Sequence, residues 1–600
     1  MNATAEQWQQ ANQRLIAKSI GEMAYEQIFT VTKEERSGNL HRYRLQLRSG
    51  VSYRFLAWQT VWDYLRVIAS SIERCEKNNI FLSAYDAAQF FMDCQLDMAM
   101  NSTIMGQFLE EMHQTLYADI QVMQRLKATT ASAMIHCDDA DLQTLLEGHP
   151  KALLNKGRLG WGSSELSHYA PESAHSFQLF WLAAHKGSLK ESFAESWDEQ
   201  ILLRHSFSDS EIEKLMKEMS KLDVTCDEYR FLPVHPWQWQ HIIKIQFAED
   251  IAYRHLVPLG FFGDHYQPLT SLRTLSNQER PKQAHIKLPV SILNTSCVRG
   301  LPGKYMKIGP RLSSILAKIC REDPILQAAG TEVLAEHAAV FYQHARYQAI
   351  KGCAYRLQEL LGAVWRESPE AKLQDNEKSV LTAALLQKDA AGNALISQYI
   401  TASGLSTEEW LLAYFSTVVV PLYHLQCKYG IGIVAHGQNI GIKLRNFRPV
   451  GMFLKDFQGD LRLIDKDWPE LKYFDEEIKS TLTRLPAEYL IHDLQTGHLI
   501  TVLRFVSATL FEDLSFPENL FYRILADAVS TYEDRHQALA SRMTNVSLLR
   551  KKIPRVLINK VRFQIGYADS NERPLPLLGS DLDNPLELAL QTCESSYDRK

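Results

Sequence analysis

The stretch GIGIVAHGQNIGIKLRNFRPVGMFLKDFQG, residues 430–459, places His436, Gln438 and Asn439 after one apolar run and Asp456 after a second. Two strand-like segments ending in an amide and a carboxylate suit a magnesium ion held against nucleotide phosphates. Mg²⁺ takes few protein oxygens and leaves its other positions to water and phosphate. A lone histidine is more often a satisfied core residue, and a lone Asn a turn former. The pairing of this cluster with Lys455-Asp456-Phe457 lifts it above those readings.

A second constellation is basic. Thr270, Ser271, Arg273 and Thr274 close one short segment, Lys287 lies inside the next, and Thr295 and Arg299 follow. Arginine as a planar fork and lysine as a point charge suit a triphosphate. The competing reading, a solvated strand face, weakens because each constellation supplies what the other lacks. A third, GHPKALLNKGR (148–158), carries His149, Lys156 and Arg158 but lacks the Gly-Lys-Ser/Thr of a Walker A loop. It reads either as a joining loop with exposed cations, or as an anion or carboxylate pocket with His149 as donor or proton shuttle. PVHPWQWQ (233–240) reads as a packed turn around His235.

An Asn followed by Asp-Phe also resembles the layout of kinases and aminoglycoside phosphotransferases. A kinase-like phosphotransferase is therefore the alternative. It needs an Asp base where Gln438 stands, and a glycine-rich loop upstream of the basic cluster, which is missing. Nucleotide binding is expected; transfer to a hydroxyl is not.

The elements that position these groups follow from pattern. Six hundred residues exceed one core, so roughly two to four domains are expected. With 46% hydrophobic and 22% charged residues and a net charge of −5, nothing points to nucleic acid or an anionic membrane. No apolar run reaches the roughly 18 residues of a membrane span, and the N-terminus lacks a secretory layout. Nine scattered cysteines without a Cys-x-x-Cys pair predict a reduced, cytoplasmic protein. Residues 1–145 read as mainly helical, with helical spacing over Trp58–Ile72 and Ile104–Leu126. A Gly/Ser/Pro-rich loop covers 148–172, with helices expected at Ala174–His185 and Asp209–Lys221. Residues 251–300 predict an antiparallel sheet and 310–362 helix. Ser406 with Glu409 forms a capping box opening a helix to Lys428, 476–550 read as helical, and the tail from Ser570 as loop.

In this order, GHPKALLNKGR, YAPE, HPWQ, TSLRT, KLPVSILNTSCVRG, AHGQN and LKDFQG resemble the motifs of the NRPS-independent siderophore (NIS) synthetases, the aerobactin-synthetase (IucA/IucC) superfamily. The resemblance implies an α+β, multidomain cupped hand with antiparallel sheets and many helices. Its thumb would span 1–145, its fingers with phosphate-binding strands 146–350, and its palm 351–600. It implies an ATP- and Mg²⁺-dependent ligase that couples a carboxylate to an amine through an acyl-adenylate, releasing AMP and pyrophosphate. By similarity, Ser271, Arg273, Thr274, Lys287, Thr295 and Arg299 grip the phosphates, while His436, Gln438, Asn439 and Asp456 complete the ATP site. Asn439 and Asp456 would hold the metal. His149, Lys156 and Arg158 would face the carboxylate and, with Arg299 and His436, form the catalytic set. The form of GHPKALLNKGRLGWG resembles the branch joining N-hydroxy-N-succinyl-putrescine or -cadaverine units into linear or macrocyclic hydroxamates; citrate or α-ketoglutarate acids are the other options. A homodimer is also implied. One departure stands out: many members carry Glu two residues before the motif histidine, where this chain has Val434.

Overall fold

The computed structural model describes residues 3–76, 80–225, 227–295, 297–457, 459–570 and 576–597. An eight-stranded sheet lies at its centre. The strand order is Leu189–Phe193, Glu336–Tyr342, Gly362–Arg366, His285–Lys287, Thr274–Asn277, Leu256–Pro268, Phe177–His185, Tyr229–Val234. Every neighbouring pair runs antiparallel. The antiparallel sheet expected over 251–300 is thus the middle of a larger one.

Phe177–His185 is a strand, not the expected helix. It is flanked by a strand on each side, and Leu179, Trp181, Leu182 and Ala183 are fully buried. A strand buried on both faces reads as one apolar run, which periodicity alone does not distinguish from a buried helix. The helix Asp209–Lys221 forms as expected, closed by a Ser208/Glu211 capping box.

The first 145 residues are likewise less helical than their pattern. The helices Ala5–Tyr25 and Ser102–Leu126 flank a six-stranded sheet between Val31 and Ser83. Trp58–Ile72 covers the end of the strand Ser52–Gln59, a turn, the strand Leu65–Val67 and a short 3-10 turn. Two short strands meeting at a turn scattered their apolar residues at helix-like spacing. The stretch 310–362 is helical in Gly303–Glu322 and in the short helices Pro324–Ala328, Ala345–Ala349 and Tyr355–Gln358, but it also holds the strands Thr331–Val333 and Glu336–Tyr342. Gly362–Arg366 belongs to the central sheet, so that unit crosses the boundary expected at 350.

The Ser406/Glu409 capping box forms and starts a helix that runs through a π segment, Phe415–Val419, to Tyr429. This helix is long and apolar enough to cross a membrane, but 72% of its apolar window is buried, with Trp410, Tyr414 and Phe415 fully enclosed. Beyond it, the two expected segments are strands, but they pair with other partners: Ile431–Ile433 with Leu461–Ile464, and Arg448–Leu454 with Ile440–Arg445. The tail is more ordered than a loop: Leu577–Asp583 pairs with Lys552–Leu557, and a helix follows at Pro585–Tyr597. Residues 571–575, with Pro574, lie outside the described residues.

A fully buried ion network ties these parts together. Lys151 Nζ donates to Glu22 Oε2 at 2.8 Å and Glu26 Oε1 at 2.7 Å, and Arg504 Nη2 to Glu22 Oε1 at 2.6 Å. The backbone N–H groups of Ile558, Asn559 and Lys560 also donate to Glu26, at 3.1, 3.1 and 2.8 Å. Burial by itself would raise the Glu26 carboxyl. The Lys151 charge and these N–H groups overcome that and hold it below its ordinary value.

Candidate functional site

A cavity of about 1170 Å³ opens between the central sheet, the 148–172 loop and the strands after Gly430. All the residues singled out from the sequence line it: His149, Lys156, Arg158, Ser271, Arg273, Thr274, Lys287, Thr295, Arg299, His436, Gln438, Asn439 and Asp456.

Its floor is cationic. The ends of two adjacent strands bring Thr274 opposite Lys287, and Lys287 opposite Val364, two residues before Arg366. Lys287 Nζ donates to Asp456 Oδ1 at 2.6 Å, and Arg366 Nη1 lies 2.8 Å from Asp456 Oδ2. Asp456 sits at φ +63, in the left-handed region that Asp and Asn enter more readily than most residues. Burial would raise its carboxyl; Arg366, Lys287 and Lys455 together hold it well below the usual range. Burial, reinforced by Arg366, in turn pulls Lys455 down to about 8. Arg273 donates to the Gly300 carbonyl and Arg299 to the Thr295 hydroxyl. The Ser271 hydroxyl accepts from Thr274 N at 3.2 Å and so shapes the turn. Arg273 and Arg299 line the same cavity as Lys287, Arg366 and Lys455. Such a cluster of arginines and lysines suits a polyanion, with Asp456, Glu336 and Glu359 as the resident counter-charges. Arg366 escaped the sequence reading; its only signal was a basic residue closing the apolar strand GAVWR.

The opposite wall carries the motif turn. His436 Nδ1 accepts from Gln438 N at 3.2 Å. Burial holds this imidazole below its ordinary value, against the pull of Asp460 and Asp456. Asn439 Nδ2 donates to the Val434 carbonyl at 2.9 Å and to Asp460 Oδ2 at 3.1 Å. Asp460, also missed from sequence, is the backbone neighbour of Val434, whose N–H donates to its carbonyl at 2.8 Å, and it brings a carboxylate to Asn439.

The π segment Gln495–Leu503 fixes this turn from behind. Ala435 N donates to the Asp493 carbonyl at 3.0 Å, and His498 Nδ1 donates to the Ala435 carbonyl at 2.9 Å. The Tyr414 hydroxyl, 2.8 Å from His498 Nε2, completes the set by donating to it. A Cβ on Gly497 would lie 2.9 Å from Ala435 N. Gly497→Ala is therefore expected to displace the His436 turn, costing about 1–3 kcal/mol of stability. Displaced catalytic groups lower the rate by about tenfold to 10²-fold. Thermal melts and steady-state rates on the same sample check both; unchanged values in both would remove the positioning role.

On the third side, His149 Nδ1 accepts from Lys151 N at 3.1 Å and Ala152 N at 3.0 Å. Burial first, then His436 and nearby cations, push this imidazole down to about 3, so it stays neutral. Lys156 and Arg158 line the cavity with their charges already committed. Lys156 Nζ donates to Asp119 Oδ1 at 2.7 Å, and Arg158 grips Glu172 through two bonds of 2.5 and 2.9 Å. Both cations are buried rather than exposed, and they shape the loop. His235 is a packing residue, as its motif suggested. It is fully buried among Trp161, Tyr169 and Phe177, with Nδ1 accepting from Trp237 N at 3.2 Å.

The arrangement combines a polyanion floor, oxygen donors from Asn439, Asp456 and Asp460, and two neutral imidazoles. The volume exceeds that of most single-ligand pockets, so two reactants fit at once.

The chain is similar to known proteins in sequence and in fold. Residues 138–387 match the IucA / IucC family, and residues 408–570 match a family described as ferric iron reductase FhuF-like transporter. The chain is 38% identical to aerobactin synthase of Escherichia coli, over 98% of this chain and 99% of that protein. It is 29% identical to putrebactin synthase of Shewanella sp. (strain MR-4), over 97% of this chain and 92% of that protein. The solved structure of aerobactin synthetase IucC from a hypervirulent pathotype of Klebsiella pneumoniae superposes with a TM-score of 0.86 at 36% identity. It covers 98% of this chain and 99% of that one. The mixed α+β, multidomain architecture is shared throughout.

Proposed function

The chain belongs to the IucA/IucC family of siderophore synthetases, ligases that form amide bonds, and we propose that it adenylates a carboxylate with Mg-ATP and passes the acyl group to an amine. The observation that carries this reading is the floor around Asp456, where Lys287, Arg366 and Lys455 crowd one carboxylate beside Arg273 and Arg299. A triphosphate presents several oxygens to such a row of lysines and arginines.

The carboxylate attacks the α-phosphorus, and pyrophosphate leaves with its growing charge held by Lys287, Arg273 and Arg299. The amine then attacks the adenylate carbonyl and expels AMP. Nδ1 of His149 and of His436 is taken by backbone N–H donors, so each neutral imidazole presents Nε2–H as a donor to the adenylate. The proton that the amine releases leaves with AMP or water. Asn439, Asp456 and Asp460 fit a hard cation that also takes phosphate oxygens; bound there, Mg²⁺ supplies charge screening between the two anions. Asp460 takes the part of the glutamate that Val434 replaces.

For the acid we propose an N-hydroxy-N-succinyl-diamine, giving a linear or macrocyclic hydroxamate, on the strength of the 148–162 loop. The higher identity with aerobactin synthase, 38% against 29% for putrebactin synthase, supports a second reading, a citrate-type acid. The proposed working form is a cytoplasmic homodimer, which light scattering would report as twice the chain mass.

A panel of carboxylates with Mg-ATP decides the chemistry. AMP and pyrophosphate should appear only with the right acid, whereas ADP would point to the phosphotransferase instead. Arg299→Ala should lower the rate about 10²-fold. Its melting temperature should hold, because the truncation removes a hydrogen bond to the Thr295 hydroxyl. A near wild-type rate would remove Arg299 from the site.

A further inference from the structure

The first helix, Ala5–Tyr25, meets the 147–152 loop along one stripe. Arg14, Lys18, Glu22 and the capping residue Glu26 stand at every fourth position, so successive turns bring them to the same side of the helix. All four reach the loop. Arg14 Nη1 pairs with Glu147 Oε1 at 3.0 Å, and Glu22 and Glu26 share the Lys151 ammonium. Lys18 is the member of the stripe that holds loop backbone. Its Nζ donates to the His149 carbonyl at 2.9 Å and to the Ala152 carbonyl at 2.5 Å.

Those two carbonyls bracket the segment that fixes His149. Lys151 N and Ala152 N donate to its Nδ1, so the neutral ring carries its proton on Nε2, the nitrogen left for the cavity that His149 lines. One ammonium therefore pins both ends of the short turn whose N–H groups choose the tautomer. Asn155 Nδ2 adds a longer bond to the His149 carbonyl, at 3.2 Å. Burial pulls the Lys18 ammonium down to about 8, and Lys156 adds to that pull; Asp119, Glu22 and Glu147 oppose it. At neutral pH it stays protonated, with its donors on the two carbonyls.

We propose that Lys18 is a positioning residue for acyl transfer and acts through His149, an assignment that rests on the adenylation reading above. Among the described residues, Lys18 is not one that lines the large cavity, so its effect on the rate passes through the loop. With both ends of the turn held, Nδ1 stays occupied and Nε2–H meets the negative charge that grows on the adenylate. With the turn loose, the ring exchanges tautomers, and half of its states set a bare lone pair against that charge.

Two readouts test this, one of them without substrate. In the full chain carrying isotope-labelled histidine, His149→Asn identifies the His149 ring signals by NMR. The wild type should show one neutral tautomer, protonated at Nε2; Lys18→Met should show both in exchange. With acid, amine and Mg-ATP, Lys18→Met should lower kcat by about tenfold to 10²-fold and leave the KM for ATP within about twofold. Lys18→Arg, which keeps a cation with several donors, should recover most of the rate, and Lys18→Gln should fall between the two. Added to His149→Ala, Lys18→Met should cost less than about twofold more, since the residue it acts through is gone. An unchanged tautomer in Lys18→Met, an unchanged rate, or losses that multiply in the double variant would each overturn the assignment. If the wild type turns over no acid, the adenylation reading falls, and the tautomer alone decides whether Lys18 sets His149.

Discussion

Asp456→Ala is expected to lower the rate of ATP-dependent amide formation by about 10²- to 10³-fold and to destabilise the protein by about 3–5 kcal/mol. The two losses have one origin. Lys287 is 5% exposed, Arg366 2% and Lys455 8%, and Asp456 is the carboxylate that Lys287 and Arg366 share. Without it, three cations face one another in a poorly solvated floor, and the proposed metal loses a ligand. Asp456→Asn separates the effects. It keeps a residue tolerant of φ +63 and an acceptor for Lys287, so folding should largely recover while the rate does not.

The pH dependence has a defined sign. Because the folded carboxyl is depressed, its stabilising contribution is present above the unfolded value of about 3.9 and is lost as pH falls through the folded one. Asp456→Asn should therefore flatten the acid limb of the stability profile. Wild-type melting and turnover in both variants would reject the floor as the polyanion site.

Lys151→Met is expected to cost about 3–5 kcal/mol without touching the reacting groups, because it strips a buried cation from between Glu22 and Glu26. Arg504 still faces Glu22, and the N–H groups of 558–560 still face Glu26, so the fold should survive in weakened form. In the wild type, Glu26 is depressed, and its contribution is lost only as pH falls through that low value. Removing Lys151 raises the folded carboxyl, so the variant should acid-unfold at higher pH. Urea melts at several pH values measure both shifts; a loss below about 1 kcal/mol would place the network among the weak ion pairs.

The residues that line the large cavity were more legible than the frame that holds them. His436, Asn439, Asp456 and the 271–299 cations stand in short motifs, and each lines the large cavity. Arg366 and Asp460 were missed because their roles arise from strand pairing and a side-chain bridge, neither of which leaves a local pattern. Lys156 and Arg158 were visible as cations, but their partners Asp119 and Glu172 lie in other segments. The same limit governed the fold. Phe177–His185 looks helical until both neighbouring strands are in place, and Gly362–Arg366 joins a sheet whose other strands all lie before residue 343. The capping box at Ser406 was legible because it depends on residues three apart, and Ser208 with Glu211 shows the same local pattern in the structure.

The clamp on Glu26 also sets a schedule for synthesis. This carboxylate near the start of the chain finds its N–H partners only at 558–560, and Arg562 from the same region lines the large cavity. A ribosome that has delivered the motifs up to Asp456 has still not delivered the groups that close the network. The emerging chain must keep Glu22, Glu26 and Lys151 in water, or shielded by a chaperone, until more than five hundred residues have been made. Assembly of the site is thus a late, long-range event, and contacts of that span fold slowly. A truncated product ending soon after Asp456 would carry the motif residues without the closed site, and would be expected to make no adenylate.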